Sequence, residues 1–169
     1  MRKFPLKGLL SRPLSEAAPE VLGEVEELGI ALRQKLGRSL AIRLVDAGSC
    51  NGCELELQAL GNPIYDLEQF GLKFVASPRH ADVLLVTGPV TRNMEVALRR
   101  TYDAMPAPKW VAAVGDCARD GGCFAGSYAV VGGAAKVLAV DLYIAGCPPD
   151  PRALLQGLLG LLERASTGT

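Results

Sequence analysis

The sequence predicts a three-layer α/β domain built on a mostly parallel sheet. Three observations predict it. Short aliphatic runs such as ADVLLVTG read as strands buried on both faces. Helical runs alternate with these strands along the chain, the order that right-handed crossovers between parallel strands require. Three of the strands run straight into glycine-rich turns, and four cysteines stand in those turns.

Residues 1–37 are expected to form an N-terminal arm and helix, and 38–169 the α/β domain. In the arm Arg2, Lys3, Lys7 and Arg12 interleave with Phe4, Leu6, Leu9 and Leu10, while Pro5 and Pro13 interrupt any helix. That mixture suits contact with a partner subunit or a membrane surface better than a solvated tail. Over 15–36, Leu22, Val25, Leu28, Leu32 and Leu36 recur at helical spacing and Gly37 can end the run. SLAIRLVDA (39–47) reads as the first strand. CELELQAL (53–60) reads as a short helix stopped by Gly61, Asn62 and Pro63. Further strands are expected at 72–77 and 81–88. A helix begins at Thr91 and ends near Pro106. A strand at 109–115 delivers Cys117, and after a glycine-rich loop and a short helix, a strand at 140–146 delivers Cys147. Pro151 suits the first turn of the closing helix, RALLQGLLGLLERA.

The 169 residues fit one domain with a sizeable core. Hydrophobic residues make up 49% and aromatics 5%, and this Ala-, Leu- and Val-rich balance suits a sheet covered by helices. Lys plus Arg and Asp plus Glu each total 18, so the basic excess that a nucleic-acid partner calls for is absent. A near-neutral apolar chain fits one subunit of a larger assembly. The five cysteines are odd in number, so complete disulfide pairing is impossible and a reducing compartment fits better. The start MRKFPLKGLLSRPLSEA lacks a long apolar stretch and a twin-arginine pair. No run of about twenty apolar residues is present to span a bilayer. The expected location is the cytoplasm, peripheral on the inner side of the cell membrane.

Cys50 and Cys53 lie in DAGSCNGCELEL, Cys117 in VGDCARDGG and Cys147 in IAGCPPD. In an open parallel sheet the turns after the strands gather at the carboxyl edge. Three separated segments thereby offer four soft thiolates to one point, and iron–sulfur is the leading candidate for what they hold. Structural zinc is the chemical rival, although zinc sites usually take two CxxC knuckles and this chain has one. A CxxC alone also reads as a redox dithiol, and a single cysteine as a small buried hydrophobe. It is the combination, each cysteine just after a strand and beside glycines, that points to a metal. Cys123 reads as a packed free thiol, with a ligand swap with Cys117 as the alternative. His80, the only histidine, reads as a hydrogen-bonded residue at a strand start. Its alternative role is an imidazole near a cluster, coupling electron transfer to protonation. Glu54 and Glu56 read as solvated or capping carboxylates at a helix start, with an interface or proton-relay role as the alternative. Thr87–Thr91 falls on the cysteine edge but holds no nucleophile–base pair, and no P-loop, GxGxxG or HExxH occurs.

The runs DAGSCNGCELELQAL, NPIYDLEQFGLKFVASPRHADVLLVTGPVTRNM, VGDCARDGGCFAGSYAVVGG and IAGCPPDP together resemble one family. It is the small, cluster-bearing subunit shared by membrane-bound energy-converting [NiFe] hydrogenases and respiratory complex I, where it is the 20 kDa subunit. The resemblance covers roughly residues 38–165. It implies a flavodoxin-like fold and one [4Fe-4S] cluster held by Cys50, Cys53, Cys117 and Cys147. It also implies a hydrogenase-like large (nickel–iron) subunit, a ferredoxin-like iron–sulfur subunit and membrane ion-translocating subunits as partners. Complex I members typically carry two adjacent cysteines in the first motif; Cys50-Asn51-Gly52-Cys53 has the hydrogenase spacing instead. The GDCARDGG run is similar to the formate-hydrogenlyase and carbon-monoxide-induced hydrogenase branch. The expected function is therefore an electron-transfer subunit of a membrane-associated [NiFe] hydrogenase, its cluster proximal to the nickel–iron site. The alternative is a complex-I-like NADH/quinone oxidoreductase subunit whose cluster reduces quinone, with the N-terminal region and the His80 loop near that site. Neither reading places a complete active site in this chain.

Overall fold

A computed structural model describes residues 39–63 and 65–167. The arm and helix expected over 1–37 lie outside the described residues. The elements are β1 (Leu40–Asp46), α1 (Gly52–Ala59), β2 (Leu72–Phe74), β3 (Val83–Thr87), β4 (Val90–Thr91), α2 (Arg92–Asp103), β5 (Trp110–Val114), α3 (Asp116–Asp120), β6 (Val130–Gly132), β7 (Leu142–Ile144) and α4 (Pro151–Thr167).

Five strands form one sheet in the order β2-β1-β3-β5-β7, and every neighbouring pair is parallel. Counting only these five strands, the order is 2-1-3-4-5, the flavodoxin-like arrangement. The expected three layers follow from side-chain alternation on β3. Val83 and Leu85 point into one core with Leu57 of α1 and Leu154, Leu155, Leu158 and Leu161 of α4. Leu84 and Val86 point into the other with Leu98 of α2 and Ala118 of α3. All four of these β3 side chains are fully buried, which explains why this stretch reads as a continuous apolar run. On α4 the buried leucines recur every three or four residues, and Gly157 faces Ile144 of β7 so closely that a Cβ would fall 2.6 Å from its side chain. The helix therefore lies tight against the last strand.

Several strands are shorter than the sequence suggests. At the starts of β3 and β7 an aspartate side chain takes the neighbouring strand's N–H beside the first backbone bond. Asp82 accepts a hydrogen bond from the Ala41 N–H at 2.9 Å, and Asp141 accepts one from the Val111 N–H at 2.7 Å. At the sheet margins, β2 pairs only with Leu40–Ile42 and β7 only with Ala112–Val114. Each edge strand has a ladder on one side alone.

A small antiparallel ladder of β4 with β6 was not expected from the sequence. Two-residue strands carry too little pattern to be read. The expected helix start at Thr91 is correct, but Thr91 does not cap it with its side chain. Its Oγ1 and N–H both donate to the Ala47 carbonyl, at 3.1 and 2.9 Å, tying this segment to the turn after β1. The β4–β6 ladder, with Arg92 Nε donating to the Tyr128 carbonyl at 2.6 Å, anchors the long loop that follows Cys117.

His80 ends a short 3-10 turn, Pro78–His80, ahead of β3. It therefore lies at the amino edge of the sheet, the opposite edge from the cysteine turns. A parallel strand separates its two ends by about 3.3 Å per residue. The reading of His80 as a proton-coupling group near the cysteines is overturned.

Candidate metal centre

The first cysteine pair follows β1, at the β1/β3 boundary where connections leave to opposite sides of the sheet. Asp46, the last residue of β1, reverses the chain. Its Oδ1 accepts the N–H of Gly48 at 2.8 Å and of Ser49 at 2.6 Å. Ser49 Oγ accepts the Asn51 N–H at 3.1 Å and donates to Glu54 Oε2 at 2.7 Å. Cys50 is left exposed on this turn, and Cys53 is buried in the first turn of α1.

The second and third cysteine turns are bound to each other. Asp116 N–H donates to the Gly146 carbonyl at 2.9 Å and Gly115 N–H to the Ile144 carbonyl at 2.8 Å. Asp120 Oδ1 accepts the Gly122 N–H at 2.8 Å and closes the turn behind Cys117. Cys117 is half-buried and Cys147 exposed.

The structure brings all four cysteines to one small cavity of about 70 Å3, lined also by Ser49, Gly88, Gly115, Gly146 and Pro148. Glycines shape its wall where there is no room for a side chain. A Cβ on Gly115 would stand 2.8 Å from Cys53 Sγ, and one on Gly122 would stand 2.7 Å from Cys117 Sγ. Both positions have positive φ, +88° and +51°, which glycine alone adopts without strain. Among the described residues, no three Cys, His, Asp or Glu side chains close on a single-ion site. All four cysteines line that one cavity, so a thiolate-bound metal group is the chemistry its lining offers.

Two of the four thiols are held in their protonated form. Burial pushes the Cys53 thiol up to about 11, with further upward pushes from Glu54, Cys50, Cys117 and Cys147. Cys117 is raised too, first by burial, then by Cys123 and Cys147. The neighbouring sulfurs oppose ionisation of Cys53 and Cys117, and a bound cation would relieve that opposition. In the cluster-free chain, iodoacetamide will alkylate Cys53 more slowly than exposed Cys50 or Cys147 at pH 8, as peptide mass spectrometry would record. The rate will climb with pH toward about 11 as the thiolate forms. Equal rates at the three sites would contradict this. The folded chain holds the Cys53 proton more tightly than an unfolded chain with the ordinary value of 9.0. The cluster-free fold therefore loses stability as pH rises from 9.0 toward about 11.

Cys123 is exposed and does not line the cavity, although its N–H donates to the Cys117 sulfur. It is not the packed thiol that the sequence suggests, because the tight Gly121-Gly122 turn leaves it on the surface. Glu54 is likewise not solvated. It is 6% exposed, and its second oxygen, Oε1, is buried without a partner among the described residues. Sequence reasoning missed Asp46, Asp116 and Asp120. The usable signal was an aspartate opening a glycine-rich turn.

The model of the family described as NADH ubiquinone oxidoreductase, 20 Kd subunit, matches residues 50–161, a span that begins at Cys50 and contains all four cavity cysteines. The chain belongs to this family. Among its relatives is formate hydrogenlyase subunit 7 of Escherichia coli (strain K12), 46% identical over 143 residues. The match takes in 83% of this chain and 56% of that relative, so the chain spans little more than half its length. Among solved structures, a chain of the membrane-bound sulfane sulfur reductase, an archaeal respiratory membrane complex, superposes with a TM-score of 0.70 and 35% identity. That match covers 83% of this chain and 77% of the other. A chain of the [NiFeSe]-hydrogenase of Dm. baculatum superposes with a TM-score of 0.55 at 17% identity, over 76% of this chain and 64% of the other, a likeness of fold alone. The expected α/β fold with a mostly parallel sheet is thereby borne out. None of the described helices is long and apolar enough to cross a membrane.

Proposed function

We propose that the chain is the electron-transfer small subunit of a membrane-associated [NiFe] hydrogenase complex, holding one [4Fe-4S] cluster on Cys50, Cys53, Cys117 and Cys147. The observation that carries this reading is the single cavity lined by four cysteines from three turns of one sheet edge. When bound, such a cluster supplies one-electron transfer at a potential set by its surroundings. The chain's residues supply those surroundings. Asp46, Asp116 and Asp120 fix the turns, the glycines admit sulfur where a Cβ would collide, and the N–H of Cys123 points at the Cys117 sulfur. The apolar sheet behind Cys53 keeps water from one side.

The cysteine edge also suits a partner. Leu55 on α1 is 58% exposed, and Tyr128 in the loop after Cys117 is 90% exposed, with Phe124 nearby at 42%. Large apolar side chains beside a redox site are the kind that a neighbouring subunit covers. In the proposed complex a hydrogenase-like large (nickel–iron) subunit covers this edge. A ferredoxin-like iron–sulfur subunit exchanges electrons with it, and ion-translocating subunits hold the assembly on the cytoplasmic side of the membrane. The 46% identity to a formate hydrogenlyase subunit supports this branch. A second reading, a complex-I-like subunit passing electrons to quinone, is favoured by the family description itself. Protein purified without oxygen will be brown, will contain iron and acid-labile sulfide, and will give an EPR signal on reduction. Colourless protein with stoichiometric zinc would sink the cluster assignment. The intact complex assayed with reduced viologen will evolve hydrogen; quinone reduction without hydrogen evolution would favour the second reading.

A further inference from the structure

We propose that a basic cleft at the amino edge of the sheet binds a phosphate-class anion. This cleft, about 390 Å3, lies at the opposite edge from the cysteines and is lined by Ala41, Lys73, Arg79, His80, Asp82 and Pro106. It is built by the starts of three neighbouring segments. Strand register sets Lys73 of β2 beside Ala41 of β1, and the Pro78–His80 turn brings Arg79 and His80 alongside. Pro106, from the loop after α2, forms another part of its wall. Lys73, Arg79 and His80 are exposed, and none of the ion pairs among the described residues involves them. The one carboxylate in the lining, Asp82, is 6% exposed and is engaged by the Ala41 N–H at 2.9 Å. A nearby lysine shows the contrast. Lys109 is committed to the protein itself, donating to the Tyr102 carbonyl at 2.6 Å and lying 3.9 Å from the Tyr102 ring centre.

The chemistry of the lining selects among anions. Arginine offers a planar fork of donors, lysine a rotatable point charge and histidine a ring N–H. A carboxylate has two oxygens, which the arginine fork alone can satisfy. A tetrahedral phosphate has more acceptors and more charge, and uses donors arriving from several sides. A concavity rather than a flat basic surface favours such a compact group over an acidic protein face. The phosphate group has two possible sources, a free phosphate or the headgroup of an anionic lipid. The site does not depend on the cysteine reading, since it shares no residue with that cavity.

The test titrates the full-length chain at low ionic strength, where screening is weak. Three probes are used: inorganic phosphate, vesicles of phosphatidylglycerol against phosphatidylcholine, and poly-glutamate. Binding is read by calorimetry and co-sedimentation. Saturable phosphate binding that K73A/R79A weakens about tenfold or more supports the free anion. Binding only to phosphatidylglycerol vesicles, with the same loss, supports the headgroup. Arg79→Gln alone, which keeps the size of the side chain, will lose part of the affinity in either case, and Lys136→Ala will lose none. The proposal fails if neither phosphate probe binds, if only poly-glutamate binds, or if K73A/R79A with unchanged melting temperature binds like the parent.

Discussion

Replacing Cys147 with serine will strip the chain of most of its iron and sulfide, whereas Cys123→Ser will leave both close to the parent level. Both residues are exposed cysteines near a glycine-rich turn. They differ in position. Cys147 lines the cavity shared with Cys50, Cys53 and Cys117, and Cys123 does not. A cubane with a thiolate on each iron loses a corner when one ligand becomes a hydroxyl, a far poorer soft-metal ligand. Iron per chain, about four in the parent, will fall by more than half in Cys147→Ser, and the EPR signal of the reduced protein will fall with it. Cys123 contributes to the site through its backbone N–H, which serine retains. Metal analysis of the two variants decides the matter. Loss of iron in Cys123→Ser with retention in Cys147→Ser would overturn the ligand set.

Gly115→Ala will cost both stability and cluster content, although it adds a single methyl group. Gly115 closes β5 ahead of Cys117 at φ +88°, where any L side chain is strained. Its Cβ would stand 2.8 Å from Cys53 Sγ and 3.4 Å from the Gly146 carbonyl. The sulfur must move or the turn must open, and both displace the wall between the first and third cysteine turns. Overpacking of this kind costs about 1–3 kcal/mol, and the positive φ adds to it. Gly160→Ala on α4 is the matched control. Among the described residues nothing lies within 4 Å of its added methyl, and alanine in a helix gains up to about 1 kcal/mol over glycine. Thermal melts and iron analysis of the two variants, run side by side, supply the comparison. A Gly115→Ala protein with parental melting temperature and iron would show that the cavity tolerates the methyl.

Much of this was legible from residues alone. The run ADVLLVTG announces a strand buried on both faces because each of its core side chains is apolar, whichever way it points. α2 begins after Thr91 as expected, because β-region backbone at that residue precedes a run of good helix formers. Cys50, Cys53, Cys117 and Cys147 could be grouped in advance because parallel strands deliver their carboxyl ends to one edge. Other features were not legible. β4 and β6 are too short to show a period. The burial of Glu54 depends on Ser49 folding back over it, a contact set by the Asp46 turn. Cys123 was misread as packed because proximity to a turn does not say which side of it a side chain takes; His80 stands at a strand start as read, and only its alternative role near the cysteines fails.

The sequence by itself determined the layer architecture, the carboxyl-edge gathering of the four cysteines and the family to which the chain belongs. Each rests on local pattern: the period of apolar residues, glycine in a turn, and the order of motifs along the chain. Only the tertiary structure decided that Cys123 stands outside the cavity. It also decided that Lys73, Arg79 and His80 meet in one cleft. Those outcomes depend on strand order and register, which bring together residues far apart in sequence. No local propensity encodes the distance between them.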